Sequence, residues 1–177
     1  MNGMLLEEND QGQPCPFKSA QSMDDGRLCK MLLEMNQMLQ AGLILNGAPV
    51  EYQIHTKSGK PYGLTHQHHP WTKWIATNRS NWLWGYCHGR ELASEYTRRY
   101  GKVHACQTSL EALPHDTFKW LPPGDITPFP LAMPDEFKDE SDPVGSYRRY
   151  YHTKRNVYWI RTLPPTWWKG TTIEVKQ

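Results

Sequence analysis

The chain carries almost no excess charge of either sign. Twenty Lys and Arg against 18 Asp and Glu leave a formal net charge of +2 over 177 residues. That excludes a general polycation, so any grip on an anionic partner has to come from clustered charge. No run reaches the roughly 18 to 20 apolar residues of a membrane helix, so no membrane partner is expected. The N-terminus lacks the basic start and apolar stretch of a secretory signal. Cys15, Cys29, Cys87 and Cys106 form no CxxC pair, which points to reduced thiols and a cytoplasmic setting rather than a disulfide framework. Also missing are GxGxxG, a Walker loop, GxSxG and HExxH. Nucleotide hydrolysis and standard serine or zinc chemistry lose most of their support.

Aromatic rings are plentiful: eight Trp, nine Tyr and four Phe. They offset a hydrophobic content of only 38%, because each ring buries a large area. Rings also stack on nucleobases, so the surplus serves a core or a binding face. Residues 1–22 show no period and read as a polar arm or loop. Asp24 or Asp25 caps a helix in which Leu28, Met31, Leu32, Met35, Met38 and Leu39 form an amphipathic stripe, stopped at Gly42 or Gly47. The stretch 55–69 is a Gly-, Lys- and His-rich loop. His69-Pro70 opens a second helical region, one broken helix or two with Ser80 as a new cap, ending at Gly101. Thr108 or Ser109 starts a short helix. The proline-punctuated stretch 121–137 wraps the surface, and Asp142-Pro143 starts a last helix running through "VGSYRRYYHTKRNVYW". The expected fold is mainly α: one compact helical bundle over residues 23–170, with long proline-rich surface loops and a tail at 171–177.

Two basic clusters stand out. "EYTRRYGKVH" gathers Arg98, Arg99, Lys102 and His104 at a helix end, and the last helix sets Arg148 and Arg149 among Tyr147, Tyr150 and Tyr151. Cations interleaved with rings suit a phosphate backbone and an unstacked base, which makes DNA the expected partner; the competing reading is a solvated face over inward-packed tyrosines. Lys73, Arg99, Lys102, Arg148 and Arg149 are the candidates for phosphates. Trp71, Trp74, Tyr100 and Tyr151 are the candidates for a base pocket, with core packing as the alternative for each. His66, His68 and His69 lie close together, but no zinc spacing appears, so neither metal nor other cofactor is expected. Glu34, seven residues beyond Arg27 on nearly the same helix face, is the candidate acid–base group, with His69 and His104 as secondary ones.

The order of "DGRLCKMLLEMNQML", "HPWTKW", "EYTRRYGKVH", "ITPFPLAMPDEFK", "DPVGSYRRYY" and "PPTWW" resembles a phage-encoded family labelled pyrimidine dimer DNA glycosylase, of the endonuclease V type, over about residues 24–168. The resemblance implies a compact helical repair enzyme in which an amine attacks the sugar C1′, a glutamate assists, and a Schiff base leads to strand cleavage. The family's catalytic glutamate falls on Glu34, and the histidine seven positions before it falls on Arg27, a permanent cation. The family's amine is that of an N-terminal threonine; this chain begins "MNGMLLEEND", which brings Lys30 or Lys102 forward as alternative amines. The departure also admits a transferase of the thymine-hypermodification kind. It would couple a free amino acid to an activated 5-hydroxymethyl pyrimidine, with Arg27 or Arg99 gripping a carboxylate or pyrophosphate. A DNA-binding or host-interaction protein without catalysis is the third expectation. The setting implied is the host cytoplasm during infection, acting on a base flipped from the duplex.

Overall fold

The computed structural model describes residues 4–170. Six α-helices carry the chain: α1 (Pro16–Gln21), α2 (Asp25–Leu45), α3 (Pro70–Thr77), α4 (Arg79–Tyr100), α5 (Ala105–Glu111) and α6 (Pro143–Tyr151). Among the described residues there is no strand, only isolated bridges at Glu8–Pro14 and His55–Pro61. The fold is therefore the expected mainly α bundle.

The centre of the bundle is α2. Asp24 accepts a hydrogen bond from the Gly26 N–H and starts it, and the apolar stripe Leu28, Met31, Leu32, Met35, Met38 and Leu39 is buried. Gly42 does not stop the helix. A Cβ built there would lie 3.1 Å from Ile75 and 3.3 Å from Trp82, so the missing side chain lets α3 and α4 close onto α2. The helix ends instead at Asn46, before Gly47 at φ 71°. Gly85 and Gly89 likewise do not break α4; a Cβ on Gly85 would meet Ile75 and Leu39, and one on Gly89 would meet Met35 and Leu110. The break between α3 and α4 falls at Asn78 rather than Ser80. Asn78 is extended, and its side chain accepts from the Asn81 N–H, which satisfies one of the orphan donors of a helix start.

Three further expectations are corrected. The stretch read as a polar arm is folded: Met4, Leu5 and Leu6 are fully buried, and α1 occupies Pro16–Gln21. Three consecutive apolar residues gain more from the core than a polar surround gains from water. The short helix α5 starts after His104, not at Thr108. Helix α6 stops at Tyr151, so Lys154 and Arg155 lie beyond it and share no helical face with Tyr147. The assignments for residues 171–177 and for the α-amino group of residue 1 lie outside the described residues.

Trp71, Trp74, Trp84, Phe129 and Tyr147 form one aromatic cluster, with the Trp71 and Trp74 ring centroids 5.2 Å apart. The Tyr147 hydroxyl accepts from Trp71 Nε1 at 2.7 Å and from the Ala132 N–H at 3.2 Å, and donates to the Pro130 carbonyl at 2.8 Å. One buried hydroxyl thus pins the proline-rich stretch to the core. The same stretch is held at its other end by Asn81, which donates to Thr127 Oγ1 and accepts from the Thr127 N–H.

Candidate functional site

Three of the five predicted DNA-contacting groups, Arg99, Arg148 and Arg149, bond to other groups of the protein, and Arg99 is buried. Arg99 is 5% exposed; it donates to Glu95, to Asp25 at 3.0 Å, and to the carbonyls of Met23 and Gln21. Asp25 in turn accepts from the backbone N–H groups of Ile160 and Arg161. This network joins the start of α2, the end of α4 and the C-terminal segment; it engages four of the five Arg99 N–H donors, and the side chain has no exposed surface to offer a phosphate. Arg148 donates to the Leu6 carbonyl and to Glu7. Arg149 donates to Asp142 and Ser146. Arg27 bonds Asp24 and the Arg155 carbonyl. Its cation therefore organises the head of α2.

The predicted base pocket is corrected in the same way. Trp71, Trp74 and Tyr151 are buried. The Tyr151 hydroxyl makes a short hydrogen bond to Asp24. Tyr100 is half-buried, stacked on Tyr96, covered by Arg161 and bonded through its hydroxyl to the Asp25 carbonyl. Glu34 lies nine residues along α2 from Asp25, about 13 Å at the helical rise, so it makes no direct contact with the Arg99–Asp25 network.

What remains at Glu34 is a separate site. The carboxylate is only 14% exposed. Oε1 sits 3.4 Å from the Lys30 ammonium, one turn earlier. Oε2 is buried and finds no hydrogen-bond partner among the described residues. Such atoms are rare, since a buried acceptor without a partner carries its full desolvation penalty. His69 lies within electrostatic reach. Burial lowers its pKa, His66 lowers it further, and the Glu34 carboxylate works in the opposite direction.

Both candidate histidines turn out to be helix caps. His69 Nδ1 accepts from the Trp71 N–H at the start of α3, and His104 Nδ1 accepts from the Cys106 N–H at the start of α5. An accepting Nδ1 is unprotonated, so the neutral ring carries its proton on Nε2. Each imidazole can then donate from Nε2 but cannot take a proton without giving up its cap. Neither ring keeps a free acceptor nitrogen in this arrangement, whereas Glu34 Oε2 is an acceptor without a partner among the described residues. His104 directs Nε2 at Cys29 Sγ, 3.2 Å away. Cys29 and Glu34 are about 140° apart around α2, so the exposed positions Lys30 and Leu33 form a strip between a residue facing His104 and one facing His69. Neither the histidine caps nor the Cys29 contact is legible in the sequence, because histidine is not among the residues that commonly cap helices.

Unengaged positive charge is supplied mostly by lysines, with Arg155 also exposed and outside any ion pair among the described residues. Lys57, Lys60, Lys73 and Lys102 are exposed and, among the described residues, take part in no ion pair. Lys57 and Lys60 sit on a tight loop closed by the Thr56 N–H to Lys60 carbonyl bond, with Gly59 at φ 79°. His66, at φ 54°, occupies the left-handed region in the turn leading to His69. No three His, Cys, Asp or Glu side chains converge to hold a metal among the described residues, and no described helix is long and apolar enough to cross a membrane. Comparison with known protein families, with curated proteins and with solved structures returned no match.

Proposed function

We propose that the protein processes a pyrimidine in DNA, in the manner of a glycosylase and lyase, with Glu34 as its acid–base group. The observation that carries the reading is the buried, unpartnered Glu34 Oε2 beside Lys30 and His69. A carboxylate left incompletely paired at a partly enclosed site is poised to accept a proton or to stabilise developing positive charge. The resemblance of "DGRLCKMLLEMNQML" and "EYTRRYGKVH" to pyrimidine dimer glycosylases supports the same assignment of Glu34. In this mechanism an amine attacks the sugar C1′ as the bond to the base breaks. Glu34 takes the proton that the attacking amine loses and steadies the cationic sugar. The departing base is protonated by water. The Schiff base that follows is a covalent protein–DNA link. His69 Nε2–H and the free lysines face the phosphates, which matches a sequence-tolerant backbone grip.

Borohydride reduction of the full chain on duplexes carrying a pyrimidine dimer or an abasic site tests this. A trapped adduct is expected, lost in Glu34→Gln, and peptide mapping of the adduct names the amine. Absence of any adduct under conditions that trap an established lyase eliminates the reading.

A further inference from the structure

The last part of the described chain is its basic part. Residues 143–170 hold six Lys and Arg and no Asp or Glu, in a protein whose net charge is only +2. Arg148 and Arg149 are paired with Glu7 and Asp142, but Arg155 is exposed and takes part in no ion pair among the described residues. Its backbone is fixed all the same: the Arg155 carbonyl accepts from Arg27 at 3.0 Å, and Asn156 turns the chain at φ 56°.

Beyond Arg155 the chain is anchored on both sides of one leucine. On the near side, the Ile160 and Arg161 N–H groups donate to Asp25 Oδ2 at 2.8 and 3.0 Å, and Trp159 Nε1 donates to the Ser22 carbonyl. On the far side, Trp167 Nε1 donates to Glu7 at 2.8 Å, and Trp168 stacks on His152 at 4.7 Å and 8°. Between the anchors stands Leu163, followed by two prolines whose rings restrict the backbone there. Leu163 is 88% exposed, more than any other large apolar side chain among the described residues. The fold gains almost nothing from it, because little of its area leaves water, yet holds it in place. With Ile160, 44% exposed, it offers two apolar side chains, far short of the roughly 800 Å² per partner of a stable protein interface. One apolar side chain on a cationic loop does fit a duplex. The cation meets a phosphate, and the apolar group enters between two base pairs and unstacks them.

We propose that Leu163 is a wedge that inserts at a base step of duplex DNA, with Arg155 on a neighbouring phosphate. The inference rests on the DNA reading of the Glu34 site. The wedge loop meets α2 at Asp25, nine residues from Glu34, about 13 Å or roughly four nucleotide steps along a strand, so both fall within one footprint. The probe is a duplex carrying a tetrahydrofuran abasic analogue beside 2-aminopurine, whose fluorescence rises when it unstacks. The full chain should give a saturable rise. Leu163→Ala should lose the rise and bind the duplex roughly tenfold more weakly, with the affinity for the single strand and the Tm unchanged. Leu163→Phe keeps an apolar wedge and should keep the rise. Arg155→Gln should weaken binding and lower the salt slope by about 1. A full fluorescence rise in Leu163→Ala overturns the wedge, as does an equal loss of affinity for single and double strands. A borohydride adduct that still forms in that variant leaves the glycosylase reading standing. No binding of the unaltered chain to any duplex at low salt overturns both.

Discussion

Arg99 and Asp25 form a 3.0 Å ion pair in which both side chains are at most 2% exposed. Arg99, one of the five candidates for a DNA phosphate, is a structural tie between the two longest helices. Removing one partner of such a pair leaves a buried charge uncompensated. Arg99→Ala should lower the unfolding free energy by about 3–5 kcal/mol, measured by urea denaturation. A phosphate-binding arginine would leave stability unchanged and shift only DNA affinity.

Glu34 should behave in the opposite way. Its Oε2 has no partner to lose, and its contact with Lys30 involves a lysine that is 71% exposed, a class of pair worth little. Glu34→Gln should leave the unfolding free energy unchanged or raise it by up to about 1 kcal/mol, while abolishing the borohydride-trapped adduct. A clear loss of stability would mark Glu34 as a structural residue.

The charge that meets DNA is predicted to be mostly lysine charge. Replacing Lys57, Lys60, Lys73 and Lys102 together by glutamine should weaken binding and flatten the dependence of log K on log salt by about 3 to 4. Fluorescence anisotropy across a salt series reads the slope. An unchanged slope would show that these side chains do not touch the backbone.

His88 makes stability depend on acidity. It is fully buried, its Nδ1 lies 2.8 Å from the Pro16 carbonyl, and Nε2 has no partner. Burial lowers its pKa to about 4 from 6.5. The folded ring therefore stays neutral where the unfolded one takes up a proton. Its contribution is complete above pH 6.5 and is lost as the pH falls toward 4. The loss amounts to about 3 kcal/mol across that window. Thermal melts from pH 7 to 4 should show a fall in Tm that is flattened in His88→Phe. The bond to Pro16 places the first loosening at α1.

The Tyr147 hydroxyl holds three groups at once. Tyr147→Phe should cost about 1–3 kcal/mol, since it strands a buried indole N–H and a backbone N–H. Limited proteolysis should then cut faster within residues 121–137.

The sequence by itself determined the helices whose signals are local. The stripe from Leu28 to Leu39, the Asp24 cap, the Pro70 start and the Gly101 stop all work within a few residues, and each is where periodicity and capping put it. Glu34, Lys30 and His69 are each candidates in the sequence, but only the tertiary structure brings His69 near the Glu34 carboxylate. Tertiary structure alone decided which charges and rings face inward. "TRRY" offers two arginines, and only packing sends Arg99 to Asp25 while Arg98 pairs with Glu95 nearer the surface. Met4 to Leu6 carry no periodic signal, yet the core takes them because burial depends on area and not on pattern. Long-range partners such as Tyr147 with Pro130, or His104 with Cys29, are set by how the helices cross. No local rule encodes that crossing.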